Sequence, residues 1–87
     1  MAEDDLDLRR RRCLFRATHR GTKEMDWLLG RYAEAALPSA DTAAIAFWEE
    51  LVQLPDPAFH DWIMGNAEAT DERIAAVVRE IRKFHGM

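Results

Sequence analysis

The chain has 87 residues, 48% of them hydrophobic and 32% charged, with a formal charge of −4. That length holds one small domain, and the hydrophobic share excludes a disordered composition. A single cysteine, Cys13, excludes an internal disulfide and a cysteine cluster for zinc.

The first helix is predicted over about Leu6 to Thr18. Leu8, Cys13, Leu14, Phe15 and Ala17 can supply its apolar contacts, and arginines fill the other faces. His19-Arg20-Gly21 ends or bends it, with glycine as the stop signal. A second helix begins after Thr22, a suitable N-cap, and runs to about Ala36. In it Met25, Leu28, Leu29 and Tyr32 recur at i, i+3, i+4 and i+7, a single apolar stripe. Trp27 lies off that stripe and is expected at the surface, available to a partner. Leu37 and Pro38 close this helix. Ser39 or Asp41 caps a third, to about Leu54, with Ile45, Trp48, Leu51 and Val52 facing inward. Asp56-Pro57 opens a fourth, Asp as N-cap and Pro at the first helical position, and Gly65 stops it. Thr70 caps a fifth. Ile74, Val77, Val78 and Ile81 form its stripe, and Arg82 and Lys83 suit the negative end of its dipole.

No sustained period-two alternation suggests a strand. The expected fold is all-α: a compact five-helix bundle forming one domain over residues 1–87, with about 1–5 and 85–87 flexible. Leu28, Tyr32, Trp48, Phe59, Trp62 and Val78 are its expected buried residues.

The charge is uneven. Residues 1–24 hold seven Lys/Arg and five Asp/Glu, and residues 25–87 hold five and eleven. Arg9-Arg10-Arg11-Arg12 suggests nucleic acid at first sight. Four acidic residues just upstream and the acidic balance of the whole argue against it, because nucleic-acid modules are basic with a coherent basic face. Glu3, Asp4, Asp5 and Asp7 fit neither a signal peptide nor an acid-poor transit peptide. No apolar run approaches the roughly 20 residues that cross a bilayer. A cytoplasmic bacterial protein without membrane insertion is expected.

No catalytic constellation is legible. The three histidines, His19, His60 and His85, form no close ligand pair, and neither a P-loop nor a G-x-G-x-x-G is present. The expectation is a non-enzyme with no metal site and no tightly bound cofactor.

The unusual feature is the junction Arg20-Gly21-Thr22-Lys23-Glu24, an R-G-x-x-E motif. Glycine costs about 1 kcal/mol relative to alanine inside a helix. At a junction it costs little and lets another surface approach the backbone. Arg20 and Glu24 are four apart, so a helical turn after Gly21 brings both near one face. The patch then holds a cation, bare backbone and a carboxylate.

The stretch His19-Arg20-Gly21-Thr22-Lys23-Glu24-Met25-Asp26-Trp27-Leu28-Leu29 resembles the signature of the SdhE-type succinate dehydrogenase assembly factors, also called flavinylation factors. A second block agrees in order and spacing: Phe47-Trp48-Glu49-Glu50-Leu51-Val52, then Asp56-Pro57, then Asp61-Trp62-Ile63-Met64. Thr22 stands for a frequent Met, Val52 for a second Leu, and Phe59-His60 for Leu and an aromatic; Arg20, Gly21 and Glu24 are untouched.

The resemblance implies a five-helix bundle. It also implies an assembly factor, or chaperone, that promotes covalent attachment of FAD to a histidine of the succinate dehydrogenase flavoprotein subunit. The fumarate reductase flavoprotein is a second candidate client. FAD would belong to the flavoprotein, and the factor would be a monomer when free. Arg20 would donate to a carboxylate or carbonyl of the partner, Gly21 would admit its backbone, and Glu24 would hold Arg20 or accept from the partner. Arg16 and Asp26 would extend the patch. Two other classes stay open: an antitoxin-like regulatory protein-binding module, and a small nucleic-acid-binding helical domain using Arg9–Arg12.

Overall fold

The computed structural model describes residues 2–87. Among them are five α-helices, one 3-10 turn and no strand, as the periodicity predicts. The chain divides into two compact units, residues 1–53 and 54–87. Among the described residues no helix is long and apolar enough to cross a membrane.

The first unit holds α1 (Ala2–Thr18), α2 (Lys23–Ala36), a 3-10 turn over Leu37–Ser39, and α3 (Thr42–Leu51). α1 packs chiefly on α2 and then on α3. Thr22 caps α2 by accepting from the Met25 N–H at 3.2 Å, and Asp41 caps α3 by accepting from the Ala44 N–H at 2.9 Å. Each side chain satisfies one of the donors that a helix start leaves over. Met25, Leu28, Leu29 and Ala33 carry the buried face of α2. Ile45, Trp48 and Leu51 carry that of α3. Tyr32 is half-buried rather than buried and stacks on Trp48, ring centroids 5.8 Å apart.

α1 differs from its sequence pattern. It starts at Ala2, four residues before Leu6, and it buries its small side chains, Cys13 and Ala17, one turn apart. Phe15 and Leu8 are 61% and 40% exposed. The reason lies in the arginines. Arg9 reaches α3, donating through Nε and Nη2 to the Glu49 carboxylate at 3.0 and 2.7 Å. Arg10 forks onto the Ala40 carbonyl at 3.0 and 2.7 Å. With Arg9 and Arg10 reaching α3 and the Ala40 carbonyl, and Cys13 and Ala17 on the core, Leu8 and Phe15 fall on the outward side of the helix.

The second unit holds α4 (Asp56–Met64) and α5 (Glu72–Phe84), packed on each other. Phe59 and Ile63 are the buried residues of α4, Val78 and Ile81 those of α5. Trp62 is half-buried, 6.2 Å from Phe59 by ring centroids. Pro55, not Asp56, is the α4 N-cap, so Asp56 and Pro57 both lie inside the first turn. Asp71, not Thr70, caps α5, accepting from the Arg73 and Ile74 N–H groups at 2.8 and 3.3 Å. The Arg73 guanidinium adds a contact at 3.2 Å, and these bonds hold the Asp71 carboxyl below its ordinary range. Gly65 ends α4 at φ +81°, as the sequence predicts. The Asn66 N–H closes onto the Asp61 carbonyl at 2.9 Å, the six-residue closure of a Schellman motif.

Candidate functional site

The α1–α2 junction is built by short-range bonds. α1 stops at Thr18 and α2 starts at Lys23. Thr18 Oγ1 turns back onto the Leu14 carbonyl at 2.8 Å, an i−4 side-chain bond that gives the hydroxyl a partner within its own helix. Asp26, one turn into α2, reaches back and accepts the backbone N–H of Arg20. With Thr22 as cap, Asp26 therefore fixes the path of the chain on both sides of Gly21. Gly21 sits at φ +106°, where side-chain-bearing residues are strained. A Cβ built there meets nothing within 4 Å. The backbone at Gly21 is thus held in shape and bare to solvent.

Arg20 is half-buried, and its Nη1 donates to the Val52 carbonyl at 2.5 Å. Val52 is the C-cap of α3. Unpaired carbonyls and the dipole make a helix C-terminus attractive to a cation, so the arginine has an electrostatic reason to lie there. Glu24 is exposed in the first turn of α2 and Arg16 is exposed on α1.

Phe15, Arg16, His19, Arg20 and Val52 line a depression of about 370 Å³. The His19 ring stacks on Phe15 at 4.0 Å and 17°. Its Nδ1 is 2.8 Å from the Phe15 carbonyl, which can only accept.

The structure therefore joins Arg16, Arg20, Gly21 and Asp26 around one junction, with Glu24 one turn along the exposed surface. Phe15, His19 and Val52 belong to the same surface and escape a reading by residue pattern. Phe15 passes for core because it is aromatic. The signal against this was available: a core-facing Cys13 and Ala17 put Phe15, midway between them, on the opposite side of the helix. Trp27, 52% exposed, stands where its offset from the α2 stripe predicts.

Of the Arg9–Arg12 run, Arg9 and Arg10 bond within the unit as described. Arg11 pairs with Asp7 one turn back at 3.3 Å. The Arg9 guanidinium holds the Glu49 carboxyl below the usual carboxylate range. Two of the four cations are thus committed to the fold, which weakens a phosphate-binding reading of the run. Among the described residues no group of His, Cys, Asp and Glu could hold a metal.

A family model described as the flavinator of succinate dehydrogenase matches residues 11–85. The chain belongs to that family. An FAD assembly factor SdhE of Acetobacter pasteurianus is 37% identical over 81 residues, 93% of this chain and 74% of that protein. The mitochondrial succinate dehydrogenase assembly factor 2 of Dictyostelium discoideum is 27% identical over 78 residues, 90% of this chain and 55% of its own length. An FAD assembly factor SdhE of Coxiella burnetii is 28% identical over 65 residues, 75% and 79% of the two chains. No solved structure gave a significant match. The match to the flavinator family spans the Arg20–Glu24 junction and helices of both units.

Proposed function

We propose that this chain binds the flavoprotein subunit of succinate dehydrogenase and promotes covalent attachment of FAD to a histidine of that subunit. The observation that carries the proposal is the junction itself. In a member of the flavinator family, Gly21 presents bare, fixed backbone beside the Arg20 guanidinium.

The chain acts as an assembly factor and not as a catalyst. It holds the flavoprotein where bound FAD and the acceptor histidine meet, which removes orientational entropy from the barrier. Arg20 donates to a carboxylate or carbonyl of the partner, a charge-assisted bond whose fork geometry lysine does not reproduce. Gly21 admits the partner's backbone, and Glu24 accepts from the partner. Asp26 positions Arg20 through its backbone N–H. FAD stays with the flavoprotein, and this chain holds no flavin of its own. The fumarate reductase flavoprotein is a second client of the same surface. The free factor is a monomer of the bacterial cytoplasm.

The test is co-expression of the chain with each flavoprotein and measurement of flavin fluorescence in the denatured band. Covalent flavin that depends on the factor, and falls to background with Arg20→Ala, is the expected result. Flavinylation indifferent to the factor overturns the reading.

A further inference from the structure

The outward face of α1 is patterned. Leu8, Arg11, Arg12, Phe15 and Arg16 follow i, i+3, i+4, i+7 and i+8, the spacing of one helical stripe. All five are exposed. They form one wall of a groove of about 630 Å³ whose other side is Glu49, Val52 and Gln53 at the end of α3. The groove shares Phe15, Arg16 and Val52 with the depression at Arg20, so the two form one continuous surface.

Its charge is one-sided. The Glu49 carboxylate is taken by Arg9 and Arg11 is paired with Asp7. Arg12 and Arg16 make no ion pair with any described residue. In a chain of charge −4, Arg12 between Leu8 and Phe15 and Arg16 just beyond Phe15, neither in an ion pair of its own, are not a generic solvated face.

We infer that this groove receives an acidic amphipathic helix of the flavoprotein, with its carboxylates on Arg12 and Arg16 and its apolar residues on Leu8 and Phe15. The inference rests on the proposed function and adds to it a second contact, which shares Arg16 with the junction and extends from it to Leu8 and Arg12. Leu8 and Phe15 are seven residues apart, about 10 Å along the helix. The occupant therefore carries two apolar residues about two turns apart, with one Asp or Glu between them and one beyond the residue on Phe15. Helix-in-groove recognition commonly has this form. The groove steers and registers the flavoprotein, and the junction next to it makes the short-range contacts.

The experiment uses the full chain and the purified flavoprotein subunit lacking covalent flavin, with affinity measured at low and high salt. Arg12→Glu with Arg16→Glu should weaken binding about tenfold or more at low salt and flatten the salt dependence. Arg12→Lys with Arg16→Lys should keep most of the affinity, because the charge is kept. Phe15→Ser should weaken binding at both salt concentrations. The substituted side chains are exposed, so helical circular dichroism should match the parent. Parent-like binding by the double Glu variant overturns the groove and leaves the junction standing. A parent chain that does not bind the flavoprotein overturns the functional reading and the groove with it. A photo-crosslinking phenylalanine analogue at position 15 should capture an acidic, amphipathic flavoprotein peptide; capture of a basic one overturns the inference. Tight binding of a single-stranded RNA that the double Glu variant abolishes would also overturn it, in favour of a phosphate-binding face.

Discussion

Two glycines with positive φ, Gly21 and Gly65, each have an arginine nearby that donates to a carbonyl at the end of a helix. Around Gly65 the arrangement is closed. Arg82 Nη1 donates to the Ile63 carbonyl and would lie 3.2 Å from a Cβ at Gly65. Around Gly21 it is open: Arg20 holds the Val52 carbonyl, and nothing stands within 4 Å of where a Cβ would go. The backbone requirement is the same and the surroundings are opposite. A glycine sealed by its own chain belongs to the fold. A glycine left bare, with its loop fixed by Thr22 and Asp26, has no such role in packing, and it is the surface we propose for the partner.

The sharpest way to break this contrast is at Gly21. Gly21→Ala and Gly21→Arg share the same backbone strain, on the order of 1–2 kcal/mol. Only the second adds bulk over the open surface. Gly21→Arg should therefore drop covalent flavin in co-expressed flavoprotein by tenfold or more, with melting close to that of Gly21→Ala. Equal flavinylation by the two variants would make the glycine a matter of strain alone. Arg20→Ala should behave like Gly21→Arg, since a charged partner left unpaired typically costs about 2–5 kcal/mol of binding.

Gly65→Ala should show the converse. Strain and the crowding of Arg82 should cost on the order of 1–3 kcal/mol of stability. That is a fall in Tm of several degrees for a domain of this size. Flavinylation per folded molecule should be unchanged, and a specific loss of it would move the functional surface into the second unit. Arg82→Ala should cost less, about 1–2 kcal/mol, because the side chain is half-exposed and water can replace part of the bond.

The smallest effect is in acid. The Glu49 carboxyl in the first unit and the Asp71 carboxyl in the second are held below their ordinary range by hydrogen bonds from Arg9 and from Arg73. Both native values are lowered, so their contribution is complete above the unfolded carboxylate range, about pH 4. It is lost as pH falls through the lower native values. Glu49→Gln and Asp71→Asn should each lower Tm slightly near neutrality and flatten the acid limb of a Tm-against-pH curve, the gap from the parent closing at low pH. An unaltered acid limb in either variant would show that the carboxylate is not linked to folding.

The helix order, the α2 cap and the Gly65 stop were legible because each rests on local chemistry that has one solution, whereas the α3 cap was left between Ser39 and Asp41 and the structure uses Asp41. Where two capping side chains stand side by side, as at Thr70-Asp71, the pattern cannot choose. The backbone chose Asp71, which serves two N–H groups at once. Asp56 misled for a related reason: an acidic residue before proline reads as a cap, yet it suits the first turn equally well. The site was half legible. Arg20, Gly21 and Glu24 stood out as misplaced chemistry for a helix. Val52 is 32 residues from Arg20, and His19 acquires its orientation from a ring stacked one turn back. Neither relation has a periodicity to read.

Cys13 has a practical consequence. The thiol is 2% exposed, and burial pushes its pKa up, so in the folded chain it is both covered and protonated. Alkylating reagents attack the thiolate. Modification must therefore wait until α1 lifts from its neighbours. With no second cysteine to compete, the labelling half-life is a stopwatch for that opening. Run with and without the flavoprotein, it reports whether the client clamps the first helix shut, with no dye, tag or substitution added to the chain.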